Sequence, residues 1–148
     1  MSLDQLDLRI IRSLNKDARK PYKTIAEELD VSDATIRKRI KRMEEDGVIK
    51  QFMVLLDYRL MGRVVKAFIG LKISPAKIQS VVEKLEMLSD VHVLYRTTGT
   101  MDLFLEVIFS DLDDLNSFLE NELNLDGIVE TEVNVVIAPY KRCPYTGL

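Results

Sequence analysis

A three-residue link between two short amphipathic segments restricts the fold of this chain more than any other feature. Asp30-Val31-Ser32 joins a segment over residues 24–29 to a longer one over 33–46, and both repeat apolar residues at helical spacing. Ser32 is a favourable N-cap for the longer segment, and Gly47 suits the left-handed backbone that ends helices. An earlier amphipathic segment covers residues 4–16, before the break at Pro21. Three helices with so tight a link predict a helix-turn-helix.

The third predicted helix carries a run of basic residues. Five of the six positions from Arg37 to Arg42 are Lys or Arg, while Ile36, Ile40 and Met43 share the inward face. Like charges crowded on an exposed helix repel one another unless a polyanion such as DNA neutralises them. Small residues at the start of the helix would allow it to approach base edges in the major groove. We therefore predict DNA contacts from Ser32, Ala34, Thr35, Arg37, Lys38, Lys41 and Arg42.

Charge is divided unevenly along the chain. Residues 1–50 hold 12 basic and 10 acidic residues, whereas residues 51–148 hold 9 and 14, a difference hidden by the net charge of −3. A nucleic-acid footprint depends on the local field, so the division indicates two domains with different roles. A solvated helix face is the alternative explanation of the basic run. Tyr22 and Lys23, next to the second helix, could contact phosphates or only water.

Several classes of protein are not expected from this composition. No apolar run approaches the length of a membrane span, and the N-terminus lacks the basic region of a signal peptide. The lone cysteine, Cys143, builds no internal disulfide, which favours a reducing cytoplasm. His92 is the only histidine and has no cysteine nearby in sequence, so neither a zinc site nor a His-based catalytic pair is expected. We predict no metal, no cofactor and no enzymatic activity.

The pattern changes after residue 47. A strand is predicted over residues 48–56, as a wing or a connecting strand, with a turn over 57–62. Further strands are predicted over 64–73, 91–98, 101–109 and 129–138, with helices beginning at Pro75 and Asp111 and a hairpin at Gly99-Thr100. The order βαββαβ is ferredoxin-like. The predicted fold is therefore α+β, with a (winged) helix-turn-helix domain over 1–50, a connecting strand and turn over 51–63, and a ferredoxin-like domain over 64–148.

One face of the predicted sheet has no cover. In a ferredoxin-like unit both helices lie on the same face, so the other would expose residues such as Phe68 or Phe104. A second copy of the chain is the simplest cover. A homodimer would also present two recognition helices to two DNA half-sites.

Taken together, these segments resemble the Lrp/AsnC family, the leucine-responsive or feast/famine regulators, over essentially the whole chain. The resemblance rests on residues 6–11 (LDLRII), 25–29 (IAEEL), 31–40 (VSDATIRKRI), 43–49 (MEEDGVI) and 98–103 (TGTMDL). It implies a helix-turn-helix over residues 22–41 and a C-terminal domain that binds small molecules, commonly amino acids. It also implies assembly as dimers, and often octamers, on double-stranded DNA.

The resemblance further implies an effector site near the hairpin. The matching positions are Gly99, Thr100, Met101, Asp102, Glu120 and Thr131. From the residues alone, Asp102 is either a satisfied turn acid or a partner for an amino group, and Thr97, Thr98 and Thr100 are either carboxylate donors or ordinary strand residues. The chain departs from the family at Asp30, where many relatives have glycine, and at Tyr58, where proline is frequent.

Three functions fit these observations. The leading hypothesis is a sequence-specific transcriptional regulator whose assembly or DNA affinity responds to a small molecule. The alternative is a DNA-organising protein with little sequence preference, which would show steep salt dependence and weak discrimination between sequences. A third is an amino-acid-binding regulatory subunit whose helix-turn-helix contacts protein.

Overall fold

The chain forms two compact units. A computed structural model describes residues 2–138 and 140, and these divide into an N-terminal unit that ends at Leu55 and a C-terminal unit over Leu56–Tyr140. The predictions about Cys143, and the last residues of the domain predicted to reach 148, lie outside the described residues. No helix in the described part of the chain is long and apolar enough to cross a bilayer.

The N-terminal unit contains the three predicted helices. They are α1 (Gln5–Lys16), α2 (Tyr22–Leu29) and α3 (Asp33–Glu45), and α2 begins two residues earlier than the periodicity suggested. Each helix turns its apolar face inward, because burial there stabilises a helix far more than its intrinsic propensity does. The buried core consists of Ile10, Leu14, Ile25, Ala26, Ile36, Ile40 and Met43.

The turn between α2 and α3 has the geometry expected of a helix-turn-helix. Ser32 caps α3, since its side chain accepts a hydrogen bond of 3.1 Å from the Thr35 backbone N–H. Asp30 adopts a left-handed backbone with φ of 55°, the only positive φ of a non-glycine residue among those described. Aspartate tolerates this conformation better than most residues, so the replacement of the family's glycine leaves the turn intact.

The strand predicted over residues 48–56 is absent from the single chain. Residues 51–57 have no regular secondary structure, and the side chains of residues 52–56 are between 45% and 78% exposed. An alternating pattern shows that a segment is suited to a strand, but a strand forms only where another strand satisfies its backbone groups. The following turn is a short 3₁₀ helix, Tyr58–Met61, capped by Asp57.

The C-terminal unit has the predicted βαββαβ order. It consists of β1 (Val65–Ile73), α4 (Ile78–Glu86), β2 (Val91–Arg96), β3 (Leu103–Phe109), α5 (Leu112–Asn121) and β4 (Ile128–Val135), with one 3₁₀ turn, Pro75–Lys77, before α4. The strands form an antiparallel sheet in the order β2-β3-β1-β4. Alternate residues of β1 and β3 pack with Val81 and Leu85 of α4 and with Leu115 and Phe118 of α5 in one core.

Two details differ from the sequence expectation. The link between β2 and β3 covers residues 97–102, longer than the two-residue hairpin predicted at Gly99-Thr100. The helical spacing of Leu112, Leu115 and Leu119 predicts that all three face inward, but Leu112 is 55% exposed and Phe118 is buried instead, with its ring centroid 5.2 Å from that of Phe109. Leu112 lies about 90° around the helix from the centre of the buried face, which falls between Leu115 and Phe118.

The second face of the sheet is uncovered within this chain, as predicted. Phe68 on β1 is 42% exposed and Tyr95 on β2 is 55% exposed. Phe104 of β3 lies opposite Tyr95 in the strand register and opposite Gly70 on the other side. The open face, as we call it from here on, therefore presents aromatic side chains from three adjacent strands.

Candidate nucleic-acid interface and effector hairpin

Arg37 is held in place on the exposed side of α3. Its Nε donates to Asp33 Oδ2 at 2.7 Å, and its guanidinium carbon lies 5.3 Å from the centroid of the Tyr22 ring. The side chain is nevertheless 65% exposed, and its terminal nitrogens have no partner among the described residues. A guanidinium fixed on one edge, with its other donors open to solvent, is preorganised for a phosphate or for the acceptors of guanine.

Lysines and small residues extend this surface. Lys38 is exposed and has no acidic partner in the part of the chain that the structure describes, while Lys41 lies 3.6 Å from Glu45 in an exposed and therefore weak pair. At the start of α3, the Ser32 and Thr35 hydroxyls lie 2.8 Å apart beside the exposed Ala34. Six of the seven predicted DNA-contacting residues thus lie together on the N-cap and exposed side of one helix.

Arg42, the seventh, is paired with a buried acid, although its own side chain is 41% exposed. Its Nη2 lies 2.6 Å from Oδ2 of the fully buried Asp7, and its Nε is buried without an acceptor in the described structure. The neighbouring Arg39 donates to both Asp4 and Asp7. Sequence analysis missed this cluster, although Asp7 shares a helical face with Ile10 and Leu14, where a carboxylate signals a buried partner.

These pairs revise the argument from charge repulsion. Of the five basic residues in the run, Arg37, Arg39, Lys41 and Arg42 each have an acidic partner, and Lys38 alone among these described residues has none. The positive charge that remains available is therefore concentrated at Lys38, at the open edge of Arg37 and at Lys41, whose ion pair is exposed and weak.

The pKa values of Asp4 and Arg39, which form an ion pair, are both shifted. The Asp7 backbone N–H and the Arg39 guanidinium hold the pKa of Asp4 below its ordinary value. The same contact with Asp4 raises the pKa of Arg39. Both shifts favour the charged forms, so the ion pairs persist at neutral pH.

Lys23 lies beside this surface. It lines a shallow cleft between α2 and α3 together with Glu27, Asp33 and Arg37. Tyr22, just before it, is half-buried beneath Arg37. Lys23 therefore adds an exposed cation next to Arg37, and Tyr22 supports the arginine.

The hairpin between β2 and β3 is fixed by its own hydrogen bonds. Asp102 Oδ2 accepts from the Ile73 backbone N–H at 2.8 Å, and Oδ1 lies 3.4 Å from Lys72 Nζ. These donors lower the pKa of Asp102. The Thr97 hydroxyl donates to the Met101 carbonyl at 2.7 Å. Asp102 is thus a satisfied turn acid in the single chain, one of the two roles left open by the sequence.

The remaining hairpin residues separate into buried and exposed groups. Met101 is buried and lies over Gly70, where an added Cβ would approach the Met101 Cγ to 2.8 Å. Gly99 and Thr100 are exposed. Glu120 on α5 and Thr131 on β4 are also exposed, and neither forms a hydrogen bond or ion pair with the hairpin in the described residues. The structure therefore groups Gly99, Thr100, Met101 and Asp102 but does not connect Glu120 or Thr131 to them.

The two halves of the chain match two family models. The model of the Lrp/AsnC ligand binding domain matches residues 66–145, and that of a winged helix-turn-helix DNA-binding domain matches residues 3–50. The chain belongs to the Lrp/AsnC family of transcriptional regulators. An HTH-type transcriptional regulator of Methanocaldococcus jannaschii is 36% identical over 94% of this chain and 95% of its own length.

Solved structures of Lrp/AsnC proteins share the architecture described above. AsnC of Escherichia coli is 31% identical, with a TM-score of 0.90 over 95% of this chain and 96% of that one. A transcriptional regulator of Neisseria meningitidis, solved as a complex with L-Met, has a TM-score of 0.90 over 98% of each chain at 22% identity, a likeness of fold alone. This Lrp/AsnC chain thus combines a DNA-binding helix-turn-helix with a ligand-binding α/β domain.

Proposed function

We propose that this Lrp/AsnC chain binds specific DNA sequences and regulates their transcription in the cytoplasm, and that a small molecule, an amino acid, alters its assembly or its DNA affinity. The observation that carries the proposal is Arg37, which Asp33 and Tyr22 hold in one position while its terminal nitrogens face solvent. Side chains fixed in this way discriminate between base pairs, because misplaced donors lose their acceptors.

The proposed DNA surface divides into two kinds of contact. Ala34, Thr35 and Arg37 lie in the first half of α3, which is the part of a recognition helix that enters the major groove. Ser32, Lys38 and Lys41 supply phosphate contacts, which orient the protein without reading sequence. We propose that Arg42 supports α3 rather than contacting DNA, because its Nη2 is already bound to the buried Asp7.

The proposed effector site uses the exposed part of the hairpin. Thr100 and the backbone beside Gly99 are accessible to a carboxylate, whereas the Asp102 carboxylate already has the Ile73 N–H and Lys72 as partners. An ammonium group would therefore need further acceptors. We propose that Glu120 and Thr131 act as such acceptors from a neighbouring copy of the chain, in a dimer or an octamer.

The domain division that we propose follows these roles. Residues 1–50 bind DNA, residues 51–63 connect the two domains, and residues 64–148 bind the effector and a second copy. The apolar residues 52–56 and the open face are the surfaces that a second copy would cover, because both expose apolar side chains.

Selection from random DNA tests the proposal. The purified protein is used to enrich duplexes from a random-sequence pool, and its affinity for an enriched duplex is compared with that for a scrambled duplex at physiological salt. We expect a preference of at least about 1,000-fold, as sequence-specific proteins show. Repeating the titration with each of the twenty amino acids, L-Met first, should identify one that shifts the curve.

Other outcomes would overturn the proposal. Equal, salt-steep binding to both duplexes would indicate a DNA-organising protein. No binding to either would leave the helix-turn-helix to contact protein. A preference that no amino acid alters would remove the proposed effector class while leaving DNA recognition in place.

A further inference from the structure

Asp7 is a carboxylate buried between two helices of the N-terminal unit. It is 0% exposed and is the only buried polar or charged residue among those the structure describes. Its Oδ2 lies 2.6 Å from Arg42 Nη2, and its Oδ1 lies 3.2 Å from Arg39 Nη1. Both arginines belong to α3. One carboxylate at the start of α1 therefore connects that helix to the second half of the recognition helix.

The surroundings of Asp7 fix it in place. It forms a reciprocal capping box with Asp4, in which the Asp7 N–H donates to Asp4 Oδ1 at 2.9 Å and the Asp4 N–H donates to Asp7 Oδ2 at 3.1 Å. Asp4 also accepts from Arg39. A buried charge with this many charge-assisted hydrogen bonds is strongly held, since loss of one partner leaves the other uncompensated.

We propose that Asp7 is a positioning residue for DNA recognition, which fixes α3 against α1 through Arg39 and Arg42 and keeps the bound nitrogens, Arg39 Nη1 and Arg42 Nη2, directed at itself rather than at DNA phosphates. The inference rests on the proposed function, because it concerns the helix that would enter the major groove. A phosphate that drew the Arg42 guanidinium away from Asp7 would leave a buried carboxylate without this partner, which is costly. Lys38, by contrast, has no acidic partner among the described residues.

The salt dependence of DNA binding distinguishes positioning from direct contact. The slope of log affinity against log salt falls by about 0.9 for each phosphate contact that is lost. We expect Lys38→Gln to lower this slope by about 0.9. We expect Arg42→Gln to leave the slope unchanged and to reduce the preference for the enriched over the scrambled duplex by about 10-fold, similar to the effect of one mismatched base pair.

A second pair of variants separates position from net charge. Asp7→Asn and Glu45→Gln each remove one negative charge from the same unit, but the only ion-pair partner of Glu45 among the described residues is the exposed Lys41 of its own helix. Glu45→Gln should keep the sequence preference. Asp7→Asn should lose about 10-fold of it while still binding the scrambled duplex. The double variant Asp7→Asn with Arg42→Gln should lose no more than either single variant, because the two residues act as a pair.

The outcomes that overturn the inference are specific. In one of them, Arg42→Gln lowers the slope of log affinity against log salt as much as Lys38→Gln does, and weakens binding to both duplexes equally. That result would make Arg42 a phosphate ligand. Asp7→Asn with the same preference as Glu45→Gln would remove the positioning role. If circular dichroism shows that Asp7→Asn is unfolded, Arg42→Gln and Arg42→Lys decide, and only Arg42→Lys should retain part of the preference. An unaltered protein that binds no DNA would overturn both the proposed function and this inference.

Discussion

Gly127, in the link between α5 and β4, is a position where only the absence of a side chain permits the fold. Its φ is +106°, and a Cβ added there would lie 2.4 Å from the Cβ of Lys77. Its carbonyl also accepts a hydrogen bond of 2.8 Å from the Ser74 N–H. The turn is thus bound to the start of α4, and a displacement of one would disturb the other.

We expect Gly127→Ala to lower the free energy of unfolding by at least about 2 kcal/mol, because backbone strain of about 1–3 kcal/mol adds to the steric overlap with Lys77. Gly47→Ala is the matched control, since Gly47 has a φ of +71° with no atom within 4 Å of the added Cβ. It should cost only about 1–2 kcal/mol. Urea unfolding followed by circular dichroism gives both values. An equal loss of unfolding free energy in the two variants would show that Lys77 moves away from the added Cβ without destabilising the fold.

Asp102 should make the C-terminal unit sensitive to acid. The Ile73 N–H and then Lys72 lower its pKa in the folded protein from the ordinary value of 3.8. A group with a lowered folded pKa stabilises the fold above its unfolded pKa, and this contribution is lost as the pH falls through the folded pKa. Asp102→Asn should therefore show a shallower decline in unfolding free energy below pH 3.8 than the unaltered protein.

The control for this prediction is Glu86→Gln, which removes an exposed carboxylate with no hydrogen-bond or ionic partner among the described residues. Its decline should follow that of the unaltered protein. Urea titrations at half-unit intervals of pH measure all three. Parallel curves for Asp102→Asn and the unaltered protein would show that the hydrogen bonds of Asp102 do not depend on its charge.

At the level of elements, the recognition helix depends on its N-cap. Ser32 accepts from the Thr35 N–H and is also a proposed phosphate contact, so one substitution would confound two roles. We expect Ser32→Ala to lower the free energy of unfolding by about 1 kcal/mol, because a backbone donor loses its acceptor. Ser32→Asp should retain the stability, as aspartate is an equally good cap.

DNA binding then separates the two roles of Ser32. A carboxylate beside a phosphate is repulsive, so Ser32→Asp should weaken binding to both the enriched and the scrambled duplex while thermal unfolding stays unchanged. Titrations with both duplexes measure this. Unchanged binding by Ser32→Asp would limit Ser32 to capping and remove it from the proposed interface.

Structural features that depend on residues close together in the sequence were predicted well. The faces of α1, α2 and α3 follow from a 3.6-residue repeat, and the left-handed backbone of Asp30 agrees with the glycine that many relatives have at this position. The contact between Asp7 and Arg42 spans 35 residues, and no periodicity encodes it. The strand over residues 48–56 was predicted wrongly for the single chain, since its pattern does not specify a partner. The same limit applies to Glu120 and Thr131, whose position relative to the hairpin depends on tertiary packing and assembly.

At the scale of the whole molecule, the open face is the surface across which we propose that copies assemble. Phe68, Tyr95 and Phe104 come from three adjacent strands, and Lys66 and Glu106 form an ion pair of 2.6 Å on the same face. The Lys66 Nζ also lies 5.4 Å from the centroid of the Phe68 ring. An aromatic patch with a polar pair beside it has the composition of an interface core and rim. We therefore expect two copies to meet across this face.

We expect the unaltered protein to be a dimer at micromolar concentration and Phe68→Asp to be a monomer. In a two-fold dimer both copies change together, so two carboxylates would be buried in an aromatic interface. Leu112→Asp is the control, because Leu112 is more exposed than Phe68 but lies on α5, which packs on the opposite face of the sheet. Analytical ultracentrifugation should find a monomer for Phe68→Asp and a dimer for Leu112→Asp.

Loss of the dimer should also weaken binding to a duplex with two half-sites more than to one with a single half-site, since the second recognition helix is no longer linked to the first. A persistent Phe68→Asp dimer would instead place the contact between copies at residues 52–56 or at the helices.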